Sequence, residues 1–306
     1  MKNNHIFGFS VIHLILLGLL VLGLTSCEDP IDIDLQTGPT QLAVDGWITD
    51  QPGPQTIKLT KTTGYFDASQ PPPALGATVI VADEDSVIHE FIDLKNNGNY
   101  VWTPKPGEVF AKIGKKYLLG IRYEGQEYIS ISQMNPVPAI DSLVFREGKP
   151  NPFGERTGFR AEFYATDLPN RTDYYWIRSY QNGKRLDGTQ NIVVSYDGSF
   201  NGSANTDGLL FIRPIRTSIN PDSLYNMNDS VKVEVFSITP DAFYFFLQLS
   251  TQINNGGLFA SPPANVPTNV VNRNANGPKA VGFFGVSAAS SKTVKVEQAN
   301  IRAKED

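Results

Sequence analysis

"QLAVDGWITD" at 41–50 and "QTIKLTK" at 55–61 decide how the chain is read. In both, apolar and polar residues alternate, and Pro52, Gly53 and Pro54 break the chain between them. A period of two is that of a half-buried strand, and Pro-Gly punctuation marks a turn. The same grammar continues outward. "ATVIVAD" (77–83) and "SVIHEFID" (86–93) meet at "EDS" as a hairpin, and "GNYVW" (98–102), "KKYLLGIRY" (115–123) and "QEYISIS" (126–132) follow. "YEGQ" between the last two is a tight glycine turn. About seven strands in roughly 90 residues is the density of a β-sandwich.

"QMNPVPAID" (133–141) is Pro-rich and without periodicity, so a domain boundary is expected there. Beyond it, strands are expected at 142–147, 158–166, 173–180, 191–196, 209–215 and 230–238, with a long polar loop at 197–208. One segment breaks the β pattern. "TPDAFYFFLQLSTQIN" (239–254) offers Thr239 as N-cap, Pro240 at the first helical position and Asp241 in the first turn. Ala242, Phe245, Phe246, Leu249 and Ile253 fall on one face at helical spacing, as a core-facing stripe or a partner-binding one. The stretch 255–279 reads as a long irregular loop, followed by strands at 280–288 and 292–296. The expected fold is mainly β. It has two Ig-like β-sandwich domains, at 41–134 and 140–300, the second carrying one amphipathic helix near 240–254.

The first 26 residues read as an address. Lys2 is the only charge before "VIHLILLGLLVLGL" (11–24), an apolar run of about 14 residues, shorter than the roughly 20 a membrane-spanning helix needs. "LTSC" (24–27) then matches the bacterial lipobox, a Leu, two small residues and a Cys. Cys27 is the only cysteine in the 306 residues, so it has no disulfide partner, and lipid attachment accounts for its place. One acyl chain holds weakly, while several hold effectively permanently. Residues 1–26 are thus expected to be a lipoprotein signal peptide and 27–40 an acidic tether. The full chain carries 26 Lys+Arg against 31 Asp+Glu, a net charge of −5, and loss of Lys2 makes it −6. That balance argues against nucleic acid as a partner.

Catalytic signals are sparse. Removal of the leader leaves His89 as the sole histidine, alternating with Val87 and Phe91 as a residue on a strand face. No GxSxG, P-loop or dinucleotide fingerprint occurs, and His/Cys zinc sites fail on residue count. No metal or cofactor is expected. A pair of carboxylates could serve a hydrolase, but the sequence does not pair them. Asp83, Glu84 and Asp85 read as a hairpin tip. Asp197, Ser199, Asn201 and Gly202 begin like a calcium loop that fails at Gly208, where a Glu is required. Trp47, Trp102 and Trp176 suit a core, or alternatively sugar stacking. Asp-Ser-aliphatic triplets make Ser86, Ser142, Ser223 and Ser230 candidate O-glycosylation sites. A plain turn-to-strand junction gives the same pattern.

"LAVDGWITD", "ALGATVIVADED", "NNGNYVW" and "KIGKKYLLGIRYEGQEYIS" resemble the transthyretin-like or carboxypeptidase-regulatory-like sandwich. With the lipobox before them and "ITPDAFYFFLQL" and "PPANVPTNVVN" behind, nearly the whole chain resembles the Bacteroidetes lipoproteins of domain of unknown function 4249. The resemblance implies an outer-membrane lipoprotein, often beside TonB-dependent transporters of the SusC type, with no catalytic residues to carry over. The expected function is a non-catalytic, lipid-anchored surface protein that assists nutrient uptake, with an oligosaccharide or peptide as ligand. The alternatives are a carboxylate-based glycan or peptide hydrolase and a structural or adhesive surface protein.

Overall fold

The strands alternate as the sequence demands, and that alternation sorts side chains between two sandwich cores. The computed structural model describes residues 38–64, 67, 69–148, 158–200, 207–256 and 264–303. Cys27 and residues 28–37 of the expected tether lie outside these. The chain divides into the units Met1–Gly38 and Pro39–Asp306, and every described residue except Gly38 belongs to the second.

Seven strands open the fold: β1 (Leu42–Thr49), β2 (Gln55–Lys61), β3 (Thr78–Asp83), β4 (Ile88–Phe91), β5 (Asn99–Trp102), β6 (Lys116–Tyr123) and β7 (Gln126–Gln133). The β6–β7 turn has Glu124 and Gly125 both at positive φ, 46° and 74°, which suits the right-handed twist of a two-residue hairpin. β8 (Ile140–Gly148) and β9 (Gly158–Ala165) form a separate two-stranded ladder. β10 (Tyr174–Gln181), β11 (Lys184–Arg185), β12 (Val193–Tyr196) and β13 (Ser230–Ile238) precede a helix at Pro240–Ile253. β14 (Val271–Asn272), β15 (Ala280–Ser287) and β16 (Ala289–Lys295) complete the chain.

The first sandwich packs the sheet β15-β1-β2-β5 on the sheet β14-β7-β6-β3-β4. Leu42, Val44, Ile48, Ile57 and Leu59 from one sheet meet Val79, Val81, Leu119 and Ile121 from the other. Each such buried side chain contributes about 1.5–3 kcal/mol relative to exposure. In the second, the sheet β11-β10-β13-β16, with β12 on β10, is covered on one face by β8–β9. Phe145, Phe163, Tyr175, Ile177, Val231, Val233 and Val235 fill that core. At its margin Glu162 is buried between Arg146 (3.1 Å) and Arg216 (3.3 Å). The molecule is mainly β.

Four features depart from the sequence reading. Residues 280–287 do not join the second sheet. They return to the first, pairing in parallel with β1, Leu42 opposite Ala280 and Thr49 opposite Ser287. Gly282 permits this: its φ is +89°, and a Cβ there would lie 2.0 Å from the Val44 carbonyl oxygen. The segment 209–215 is not a strand. Pro214 lacks the N–H a ladder needs and sits in the first turn of the short helix Arg213–Arg216. The long helix has its expected cap, Thr239 Oγ1 accepting from Ala242 N at 3.3 Å. Its buried face is Ala242, Phe243 and Phe246, while Ile253 is 47 % exposed. The buried residues are those that meet aromatic partners: Phe243 packs on Tyr174, and Phe246 on Trp47 and Trp176. Finally, the loop 255–279 carries β14 on β7 and ends in a clamp. Asn269 accepts from Phe284 N (2.9 Å) and donates to Phe284 O (2.7 Å), closing the free edge of β15.

Candidate functional site

A strand has two faces, and in β1 and β2 only one builds the core. Ala43, Asp45 and Trp47, with Thr56, Lys58 and Thr60, point away from it. Parallel register places Asp45 opposite Phe283 and Trp47 opposite Gly285, so β15 adds Val281 and Phe283 to the same outer face. Across from it stand Trp176 and Arg178 of β10, Arg185 of β11, Asp187, Ile192, and Phe245, Phe246 and Leu249 of the long helix. Together they enclose a cleft of about 720 Å³, within the range of roughly 300–1,000 Å³ usual for small-molecule sites. Its walls are held in register by a short crossover. Ala288 alone separates β15 from β16, with Ala288 N donating to Ser237 Oγ (3.1 Å) and Ser237 N to Ala288 O (3.0 Å).

The apolar wall is a packed aromatic stack. Trp47 lies 5.1 Å from Phe246 at 22°, 5.7 Å from Phe283 at 11°, and 5.1 Å from Trp176. Trp176 is only 5 % exposed, with the Arg178 and Arg185 guanidiniums 4.8 Å and 5.3 Å from its ring centre. Such cation–aromatic placements contribute about 0.5–2 kcal/mol each. Trp47 has room for its indole because residue 285 is glycine, where a Cβ would come within 2.1 Å of the ring.

The polar side is partly committed. Glu234 binds Arg178 (3.0 Å), Lys232 (2.6 Å) and the Tyr180 hydroxyl (2.8 Å). Burial pulls the Arg178 guanidinium below its ordinary range, against the attraction of Tyr180 and Glu234. By contrast, Asp45, Lys58, Arg185 and Asp187 make no side-chain hydrogen bond or ion pair among the described residues. Asp45 is open to solvent yet crowded by the cleft walls. That crowding raises its carboxyl pKa, opposed by the fields of Lys58, Arg185 and Arg178. Two buried donors, Trp176 Nε1 and Arg178 Nε, also lack a partner there. The cleft therefore offers acceptors and donors of both charges beside an aromatic wall.

The residues singled out in the sequence are scattered. Cys27 lies outside the described residues. Ser86, at φ 63° on the hairpin tip, and Ser223 are exposed, whereas Ser142 and Ser230 are half-buried strand residues with their backbones in ladders. His89 is buried against Phe110 (4.5 Å) and Trp102 (5.3 Å), and burial lowers its pKa. Trp102 belongs to the first core, while Trp47 and Trp176 meet at the cleft. Asp85 pairs with Lys115 at the hairpin tip. Asp197 accepts from Asp173 N (2.8 Å) and Ser199 is buried; Asn201 lies outside the described residues. Among those residues, no cluster of three or more His, Cys, Asp or Glu could hold a metal, and no helix is long and apolar enough to cross a membrane. Sequence reasoning missed Asp45, Lys58, Arg178 and Arg185. A signal existed, since Asp45 lies two residues before Trp47 and Arg178 two residues after Trp176.

Fold and cleft define a mainly β body with an amphiphilic groove. The chain belongs to the family described as Domain of unknown function (DUF4249), which matches residues 28–293. A comparison with curated proteins finds no match.

Proposed function

We propose that the protein is a non-catalytic binding lipoprotein, anchored in the outer membrane through Cys27 and facing the cell surface. In this reading it is the accessory, ligand-binding partner of a TonB-dependent transporter of the SusC type. The transthyretin-like character of residues 41–134 belongs to the same reading. The observation that carries it is the cleft, where uncommitted Asp45, Lys58, Arg185 and Asp187 stand beside a prebuilt aromatic wall. Its polar groups suit recognition. Burial raises the Asp45 carboxyl, against the fields of Lys58, Arg185 and Arg178. The lipobox at 24–27 supports the anchor, and the acidic stretch behind it suits a tether.

A C-terminally tagged chain, extracted gently from its host, tests the partnership. A stoichiometric β-barrel transporter co-purifying with it is the expected outcome; purification alone counts against it. Cys27→Ala should move the protein out of the membrane fraction, and its retention there would remove the anchor from the proposal.

A second reading has one observation in its favour: two carboxylates, Asp45 and Asp187, line the cleft, as a hydrolase requires. Turnover of a glycan or peptide panel that vanishes in Asp45→Asn would select it over binding.

A further inference from the structure

Granted that the cleft is a ligand site, its chemistry narrows the ligand. We infer that the occupant is a short peptide with free termini and an apolar side chain, not an oligosaccharide. Three features of the cleft lead there. Sugar stacking needs an open aromatic face, and both indoles already have ring or guanidinium neighbours. Trp47 is already stacked by Phe246 and Phe283, and Trp176 is closed over by the Arg178 and Arg185 guanidiniums. Next, charges of both signs line the same space without pairing with each other. Asp45 feels Lys58 and Arg185, yet no ion pair joins them. A zwitterion resolves this arrangement: its ammonium meets Asp45 and its carboxylate meets Arg185 and Lys58, as charge-assisted bonds. A neutral sugar would leave these charges uncompensated. Last, Phe245 and Leu249 line the cleft half-buried on the helix, an apolar seat for an aliphatic side chain.

The lipidated mature chain in mild detergent tests this, with trileucine and an equimolar tripeptide mixture as probes against maltotriose and cellotriose. Calorimetry and the fluorescence of the cleft tryptophans read binding. Trileucine should bind saturably, and its N-acetylated, C-amidated form about tenfold more weakly or worse. Asp45→Asn and Arg185→Ala should each weaken it by about tenfold, the loss of one charge-assisted bond. Asp45 is exposed, so Asp45→Asn should leave thermal unfolding near the parent, whereas Arg185→Ala gives up its contact with the Trp176 ring and should unfold at a somewhat lower temperature while remaining folded. Trisaccharide binding that Asp45→Asn abolishes, with the peptides silent, overturns the peptide class and leaves the cleft standing. Peptide binding indifferent to both substitutions overturns the placement in this cleft. If neither class binds, the cleft reading itself falls.

Discussion

Replacing Gly285 by Ala tests whether the strand β15 and the Trp47 indole are built around each other. A Cβ at position 285 would lie 2.1, 2.4 and 2.9 Å from three atoms of that ring, where ordinary contact begins at 3.4 Å. The ring must move by more than an ångström, yet Phe246, Phe283 and Trp176 all pack against it within 5.7 Å. Backbone conformation adds nothing, since Gly285 is not among the positive-φ glycines. The cost is therefore overpacking alone, about 1–3 kcal/mol, and the rigidity of the stack argues for the upper half of that range. In a body of this size it corresponds to a fall in Tm of about 4–9 °C. Trp47→Ala alone should cost about 3 kcal/mol, because the indole leaves a cavity in the stack. The decisive measurement is the double-mutant cycle by urea denaturation. With the indole gone the new methyl fits, so the double variant should be no less stable than Trp47→Ala. That amounts to a coupling of about 2 kcal/mol. Additivity within about 0.5 kcal/mol would refute the reasoning.

Two further substitutions probe the walls of the cleft. Burial pushes the Glu234 carboxyl up, but Lys232, Tyr180 and Arg178 together hold it below the ordinary 4.5. A depressed folded pKa stabilises the protein above the ordinary value, and that stabilisation is lost as pH falls through the folded value. The Tm gap between the parent and Glu234→Gln should thus be widest near neutrality and shrink as pH falls below the ordinary 4.5. A gap constant from pH 3 to 7 would exclude the mechanism. Asn269→Ala removes both side-chain bonds to the Phe284 backbone and should cost about 1–3 kcal/mol. The Phe284 amide should then exchange hydrogen faster while β13 stays protected, and unchanged exchange at Phe284 would show that another group closes the edge.

Local structure was legible because local chemistry fixes it. β2 and β13 occupy the residues their alternation marks, and the Thr239 cap, with Pro240 behind it, starts the helix where side-chain oxygen and fixed φ require. The turn at Glu124 and Gly125 follows from the same kind of rule. What was not legible depends on partners distant in the chain. Nothing in "AVGFFGVS" says that it pairs in parallel with a strand 238 residues earlier, since a strand's pattern names its faces and not its neighbour. The site was hidden for that reason. Trp47 and Trp176 each read as core residues, correctly, but only the return of β15 shows that they belong to one core. Phe243 displaced Ile253 on the helix because burial follows which side chains meet Tyr174, Trp47 and Trp176, and helical periodicity cannot report those partners.

The return of β15 also explains why the two sandwiches make a cleft instead of a hinge. A chain that crossed once, at 134–140, would join them by a single strand of backbone, and relative motion would be the default. Here it crosses back between the helix and β14 and once more at Ala288, where β15 and β16 sit in different sheets with one residue between them. Asp50 Oδ1 accepts from Ala289 N at 3.0 Å, and Gln51 donates to Ala289 O at 2.9 Å, so the end of β1 holds the start of β16. Phe283, on the cleft face of β15, packs on Trp47 of the first sandwich and on Phe245 of the helix. The crossing at Ala288 thus fixes the aromatic wall and the charged residues of β1 and β2 relative to one another. A prebuilt site loses less entropy on binding than one assembled by its ligand. Gly282 and Gly285 are the residues that let β15 lie against β1 and Trp47, so the shape of the cleft rests on two absent side chains in a strand that lines it.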